Sequence, residues 1–394
     1  MRHNLQTNTL LTAINKELSK YYTDNQVWTL NYKIGFVIFL VYFNIYQRKK
    51  DHRNIFPLIE DCLTHLNDHG SSDTSLFNGL AGLGWMLQHL NNIGVLNRGD
   101  IESIHEIDEF ILNDLRHETL GNQEFDLLYG LVGKGTYFLS RERNSTVNKA
   151  LTNIFDRLTQ TAIITDEFIF WEKGNGVDLG LAHGMPGLLV LFSKFCKLGI
   201  NGKLSKEYLR KLVSFVTKNK LENNLISYFP TNSNSKEASR IGWCYGDLSV
   251  SIGLCHANSV LCSPIVDKEI RKVVRRCIDR SIDVSGVFRS EKYLDSGLCH
   301  GSLGIAYALH KIKQNNGIVG IGSRIDYWRK MSRQRIDVTQ PFLNLKTAFP
   351  TKYAVDWGLD GGLIDGLAGI GLITMGFSSS KLTGWDSIFL LDID

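Results

Sequence analysis

The chain has 394 residues, of which 43% are hydrophobic and 21% are charged. This apolar content excludes a disordered chain and is enough for a large core, arranged either as two domains or as one closed architecture. The 44 Lys and Arg residues nearly balance the 40 Asp and Glu residues, for a formal net charge of +4. Because no run of five or more basic residues occurs, we do not expect nucleic-acid binding.

The first 46 residues predict neither an export signal nor a membrane span. Residues 1–25 are polar and have no apolar stretch before a small-residue cleavage site, so we expect a cytoplasmic protein, held at the membrane only through partners if at all. The apolar run at residues 34–46 is shorter than the roughly 20 residues that span a bilayer, and it predicts a buried helix. The seven cysteines, an odd number without an export signal, predict thiols rather than a disulfide framework.

A glycine signature recurs along the chain about every 50 to 65 residues. It reads Gly-x-x-Gly followed by an apolar run. Its first glycines are Gly79, Gly130, Gly184, Gly301 and Gly366, with a degenerate copy at Gly246, where Ser249 replaces the second glycine. A weaker copy begins at Gly35 and would make seven units.

Each repeat predicts one buried and one exposed helix. Apolar segments such as 83–90 and 305–312 follow the signatures, whereas amphipathic segments lie between them at 101–116, 147–160 and 206–218. We therefore predict an all-α fold in one domain spanning residues 1–394, an α/α toroid or double-layered barrel of about seven helix pairs. An open solenoid is the alternative. The glycines let the chain turn into each inner helix, and no strand precedes them as a nucleotide-binding loop would require.

Aligning the repeats on their first glycine places two cysteines in the same register. Cys244 and Cys299 both stand two residues before that glycine, and His300 follows Cys299 directly. Equivalent positions of a closed ring face the same end of the barrel, so these three side chains are expected to converge. Two thiolates and an imidazole bind zinc and leave a fourth position open, as in catalytic sites. The alternative is two ordinary buried cysteines and a helix-capping histidine.

The same alignment gathers further candidates. His183 occupies the register of His300 one residue before Gly184 and is the best acid–base candidate. Asp126 and Arg240 precede the turns of their repeats; on position alone, each is as well explained as a surface or capping charge.

Five segments together resemble the lanthionine synthetase C family. They read FDLLYGLVG at 125–133, LAHG at 181–184, GWCYG at 242–246, LCHGS at 298–302 and DGLAGIG at 365–371. The resemblance runs from about Gly35 to Gly371. It implies a toroid of seven helix pairs with one zinc ion held by Cys244, Cys299 and His300.

The resemblance also implies an activity. Peptide cysteine thiols would add to dehydroalanine or dehydrobutyrine, forming lanthionine or methyllanthionine thioether rings. His183, Asp126, Arg240 and Tyr245 match the active-site residues of the family. The implied partners are a dehydrated precursor peptide and also a dehydratase and a peptide exporter. The chain departs from the family pattern at Ser249 and at Asp247-Leu248.

Three other functions compete with this one. A zinc enzyme of the same fold would add glutathione or another small thiol to dehydrated residues. A carbohydrate-active α/α barrel would use paired carboxylates such as Asp126 and Asp365 and would need no cysteines. A peptide-binding scaffold would hold zinc for structure alone.

Overall fold

The structure is a computed structural model that describes residues 2–24, 29–68, 72–117, 124–174, 176–222, 224–287, 295–315, 317–334, 336–340, 343, 347–350, 355–358 and 361–393. Within these residues the chain forms fourteen α-helices: α1 Arg2–Asp24, α2 Leu30–Tyr46, α3 Phe56–Asp68, α4 Leu80–Asn92, α5 Ile104–His117, α6 Leu131–Ser140, α7 Ser145–Thr161, α8 Met185–Leu198, α9 Gly202–Lys218, α10 Asp247–Leu261, α11 Pro264–Asp279, α12 Ser302–Asn315, α13 Ile321–Arg333 and α14 Leu367–Gly376. Two short antiparallel hairpins pair β1 Ile163–Ile164 with β2 Ile169–Phe170 and β3 Thr347–Pro350 with β4 Val355–Gly358.

Seven helices of the described residues are buried along most of their length. They are α2, α4, α6, α8, α10, α12 and α14. In α14, for example, Thr374 is the one residue that is not buried. A helix that is apolar on every side belongs inside a protein. None of the helices in the described part of the chain is both long and apolar enough to cross a bilayer.

The helices between them are amphipathic and bury one stripe. In α11 the buried positions Val266, Ile270 and Val273 recur at helical spacing, as expected for a helix packed on a core by one face. This helix is also well capped, since the Ser263 hydroxyl accepts the Val266 N–H at 3.4 Å and Pro264 occupies its first turn. The exposed helices predicted at 101–116, 147–160 and 206–218 are confirmed as α5, α7 and α9.

The contacts divide the chain into two compact units. The first comprises Met1–Ser71, Gly286–Lys313 and Val319–Asp386, and in it α14 packs against α1 and α2. The second comprises Ser72–Ser285, Gln314–Ile318 and Ser387–Asp394, and in it α8 packs against α6, α9 and α10. The expectation of one domain over residues 1–394 stays a prediction.

The signature glycines close a tight loop before inner helices such as α8 and α12. At the turn before α8, the Met185 N–H donates to the Asp178 carbonyl at 3.0 Å. A Cβ on Gly184 would lie 2.1 Å from that carbonyl oxygen. The second glycine is equally confined, since a Cβ on Gly304 would lie 1.9 Å from the Leu298 carbonyl oxygen. Both positions exclude any larger residue because the neighbour is backbone.

The weaker repeat predicted to begin at Gly35 does not align with the other repeats, whose first glycines stand at helix starts. Gly35 lies inside α2, whereas Gly79, Gly184 and Gly366 are the N-cap residues of their helices. Its role is close packing, since a Cβ there would come within 3.1 Å of the Leu363 side chain. The first inner helix is therefore real, but its start at Leu30 carries no glycine signature.

Replacing Gly304 by alanine should destabilise the fold, because the added methyl meets backbone that has no room to move. Overpacking of this kind costs about 1–3 kcal/mol. Gly202→Ala is the matched control, since nothing lies within 4 Å of a Cβ at that helical position. Urea denaturation followed by circular dichroism would compare the two. Equal midpoints for both variants would contradict this account of the signature.

Candidate active site

Neighbouring turns are joined by backbone hydrogen bonds at one register. The acceptor is each time the carbonyl two residues before the first glycine of a repeat. The bonds are Phe77 N–H to Leu128 O at 3.0 Å, Leu127 N–H to Ala182 O at 3.0 Å and Leu181 N–H to Cys244 O at 2.9 Å in the second unit, and Leu298 N–H to Ile364 O at 2.7 Å in the first. Since His183 follows the acceptor Ala182 and Tyr245 follows the acceptor Cys244, these bonds set where the two candidate side chains lie.

The second unit brings His183 and Asp126 together. The imidazole Nδ1 lies 3.0 Å from the Asp126 Oδ2, and because a carboxylate only accepts, Nδ1 is the donor. The other oxygen of Asp126 accepts the N–H groups of Tyr129 at 2.7 Å and Gly130 at 3.2 Å. The side chain of Asp126 is 3% exposed, whereas that of His183 is 33% exposed. The imidazole is therefore held from behind by a buried carboxylate and is open to a bound molecule.

This pair shifts the pKa of both partners toward their charged forms. The hydrogen bond to Asp126 raises the pKa of His183 above 6.5, against the effect of burial. Burial alone raises the pKa of Asp126, but the bonds from His183 and from the Tyr129 N–H outweigh it and bring the pKa below its ordinary value. An imidazole with a raised pKa is a proton donor near neutral pH.

Tyr245 also lies beside His183, and its hydroxyl is bound by Asp178, a residue that the sequence analysis does not single out. The ring centroids of Tyr245 and His183 are 6.2 Å apart, and the Tyr245 hydroxyl donates to the Asp178 Oδ2 at 2.9 Å. Burial raises the pKa of Asp178, and the bonds from the Gly180 N–H and Tyr245 offset this only in part. A Cβ on Gly180 would lie 2.7 Å from the Tyr245 ring, so this glycine leaves room for the ring.

A signal for Asp178 does exist in the sequence. Asp73, Asp178 and Asp295 all stand six residues before the first glycine of their repeats. In each, one carboxylate oxygen accepts an N–H two residues ahead, from Ser75, Gly180 and Gly297. The second oxygen of Asp178 accepts the Tyr245 hydroxyl, and the second oxygen of Asp295 lies 3.0 Å from the His300 Nε2.

Cys244 is anchored by the residue that departs from the glycine signature. The Ser249 hydroxyl accepts the Leu181 N–H at 2.6 Å and donates to the Cys244 carbonyl at 3.4 Å. A serine in place of the second glycine thus ties the turn before α8 to the turn before α10. Arg240 belongs to the same turn, where a Cβ on Gly246 would lie 2.0 Å from its carbonyl oxygen.

The second departure, Asp247, holds the loop before this turn. The carboxylate is fully buried, lies 2.7 Å from the Arg280 guanidinium and accepts the N–H groups of Tyr228 and Phe229, both at 2.9 Å. Burial raises the pKa of Asp247, with Arg280 acting against it. Removing either partner would leave a buried charge unpaired.

The first unit contains Cys299 and His300. The Cys299 N–H donates to the Ile364 carbonyl at 3.1 Å. The His300 Nε2 lies 3.0 Å from Asp295 Oδ2, and its Nδ1 lies 3.9 Å from Asp365 Oδ1. Metal-bound histidines commonly give their other ring N–H to a carboxylate, which orients the ring. The fully buried Asp295 fits that role, so this half of the predicted ligand set has the chemistry that zinc requires.

Comparison with known proteins gives one family and one fold. The sequence model of the family described as "Lanthionine synthetase C-like protein" matches residues 34–390. The chain is 21% identical over 291 residues to the nisin biosynthesis protein NisC of Lactococcus lactis subsp. lactis, a match that spans 66% of each chain. It is similar in structure to nisin cyclase, with a TM-score of 0.71, 18% identity and 96% of each chain covered. The predicted fold class is confirmed by this likeness.

Replacing Asp126 by asparagine should lower the pKa of His183, because the charge that stabilises the imidazolium is removed. The raised pKa means that the pair stabilises the fold below about pH 6.5 and that this contribution fades as pH rises through the folded value. NMR titration of the His183 ring in both proteins measures the shift. Asp73→Asn, which removes a carboxylate from the turn before α4, is the control and should leave the titration unchanged.

Proposed function

We propose that this chain, which belongs to the lanthionine synthetase C-like family, is a zinc-dependent lanthipeptide cyclase. It adds cysteine thiols of a dehydrated peptide to dehydroalanine or dehydrobutyrine and so forms thioether rings. The observation that carries the proposal is the pairing of the accessible His183 with the buried Asp126, beside the turn that holds Cys244. The family membership and the likeness to nisin cyclase support the same activity.

Cys244, Cys299 and His300 are the ligands that we propose for one zinc ion. The two cysteines share a register, and the Cys244 carbonyl accepts one of the turn-to-turn bonds, from the Leu181 N–H. The Asp295 Oδ2 lies 3.0 Å from the His300 Nε2, where the carboxylate partner of a metal-bound histidine would lie. When bound, zinc would lower the pKa of a substrate thiol and make thiolate available near neutral pH.

The residues of the second unit would then supply the proton that completes the addition. Attack of the thiolate on the β-carbon leaves an enolate whose α-carbon must be protonated. His183 is the donor in this proposal, since its pKa is raised and its imidazole is partly exposed. Asp126 fixes the ring through Nδ1, which leaves Nε2–H of the imidazolium for delivery.

Arg240 and Tyr245 complete the proposed site. Arg240 would stabilise negative charge on the enolate oxygen. Tyr245 lies beside His183 with its hydroxyl bound to Asp178, so we assign it to shaping the site around the acceptor. Asp178 acts through Tyr245 and is a positioning residue.

The competing functions have less support. A glycoside hydrolase needs a general acid of raised pKa, whereas hydrogen bonds lower the pKa of Asp126. A scaffold has no use for a buried carboxylate aligned behind an accessible imidazole. A small-thiol transferase would share all of the proposed residues, so a direct assay has to separate it from the cyclase.

The partners follow from the proposed activity. A dehydrated precursor peptide is the substrate. Association with a dehydratase and a peptide exporter, like the cytoplasmic location and any attachment to the membrane through these partners, stays a prediction.

Purified, reduced protein should contain about one zinc ion per chain, and Cys244→Ala should lose most of it. Cys255→Ala is the matched control because Cys244 and Cys255 are both 6% exposed, but only Cys244 stands in the ligand register. Metal content by plasma mass spectrometry, with folding checked by circular dichroism, gives the answer. Full zinc in a folded Cys244→Ala protein would refute the ligand set.

His183→Asn should slow ring formation by about 100-fold or more, the usual range for loss of general acid–base catalysis, while zinc content is retained. The substrate is a synthetic peptide with one dehydroalanine and one cysteine. Cyclisation consumes the thiol without changing the mass, so alkylation of the remaining thiol followed by mass spectrometry measures it. His117→Asn, at an exposed position of α5, should cyclise at the unaltered rate.

Adding glutathione to the same assay separates the two thiol enzymes. A cyclase gives the unchanged mass, whereas a small-thiol transferase gives a product heavier by one glutathione. Unchanged rates in His183→Asn would contradict the proposed proton donor.

A further inference from the structure

A cavity of about 570 Å³ lies within the first unit, and none of its lining residues is a candidate ligand. Residues of α1, α12, α13 and α14 line it, together with the segment after α13. Its apolar wall includes Leu10, Leu303 and Ile336, and its basic wall is formed by Arg329 and Arg333. The volume is in the range of small-molecule sites, which are mostly apolar with a few polar groups that orient the ligand.

The Arg329 side chain is packed against an aromatic ring, but its N–H donors have few acceptors. Its guanidinium stacks over the Phe377 ring at 4.4 Å, and its side chain is 22% exposed. Its nearest carboxylate oxygen, on the 77% exposed Asp326, is 3.6 Å away, beyond hydrogen-bond range. Within the part of the chain that the structure describes, no hydrogen bond to this guanidinium occurs. A guanidinium offers five N–H donors, and the cavity is where those of Arg329 have room for an acceptor.

Arg333 adds a second positive charge one helical turn later. Like charges four residues apart on a helix repel each other, and both of these arginines border the same cavity. Burial, together with the charge of Arg333, lowers the pKa of Arg329. An anion between them would relieve this repulsion.

The hydroxyl groups of Thr374 and Ser378, which also line the cavity, already donate hydrogen bonds within the protein. The Thr374 hydroxyl already donates to the Ile370 carbonyl at 2.7 Å, and the Ser378 hydroxyl donates to the Thr374 carbonyl at 3.3 Å. The positively charged donors in the lining of this cavity are the guanidinium groups of Arg329 and Arg333, and guanidinium groups match the geometry of carboxylate and phosphate oxygens.

We propose that this cavity is a binding site for an organic anion, a molecule with a carboxylate or phosphate group held by Arg329 and Arg333 and an apolar part packed against Leu10 and Ile336. The site is independent of the proposed cyclase chemistry. It uses none of the residues assigned to zinc or to proton transfer.

Benzoate and phenyl phosphate are the probes, since they share an aromatic ring and differ in the anionic group. Ligand-detected NMR titration of the full chain should show saturable millimolar binding of at least one of them. Arg329→Gln should weaken it about tenfold or more, as expected when a charged hydrogen bond is lost. Lys330→Gln removes the same charge from the exposed face of the same helix and is the control that should bind as the unaltered protein does.

The pattern of binding identifies the ligand chemistry. Binding of benzoate alone assigns a carboxylate ligand, and binding of phenyl phosphate alone assigns a phosphate ligand. Should Arg329→Gln misfold, Arg333→Gln, at an exposed position, makes the same test. The proposal fails if neither probe saturates, if neutral benzamide binds equally well, or if the arginine variants bind as tightly as Lys330→Gln.

Discussion

The structure depends on one repeated contact, the backbone hydrogen bond that links neighbouring turns within each unit. Its acceptor is a carbonyl two residues before a signature glycine, as at Ala182, Cys244 and Ile364. The bond forms only where the backbones come close together, and the glycines allow this, since a Cβ at Gly184 or Gly304 would overlap a carbonyl oxygen. The glycine spacing therefore fixes which side chains can meet, and the chemistry occupies the residues beside this contact.

This constraint explains how much of the site could be predicted from the sequence. Aligning the repeats on their first glycines predicts which residues lie close together, because aligned residues make the same backbone contact. His183 and Tyr245 come together for this reason, with ring centroids 6.2 Å apart. Gly35 misled the alignment because a glycine within a helix serves close packing, here against Leu363, and looks the same in sequence as one at a helix start.

The residues that sequence reasoning missed act through distant partners. Asp178 closes a turn like Asp73, but its second oxygen meets Tyr245, 67 residues away. Asp247 looked like a loss of the family pattern, yet it forms a buried ion pair with Arg280 and holds the N–H groups of Tyr228 and Phe229. The spacing of residues along the sequence does not predict such partners, because these contacts depend on how separate segments of the chain pack together.

Asp126 and Asp178 both act on the His183 imidazole, and their own pKa values are shifted in opposite directions. Asp126 is held charged by three N–H donors that point at it, whereas burial raises the pKa of Asp178. Of the two, Asp126 is hydrogen-bonded to the ring and is the main cause of the raised pKa of His183, and the charge of Asp178 adds to it. A raised pKa favours the protonated ring, which the proposed role of His183 as a proton donor requires.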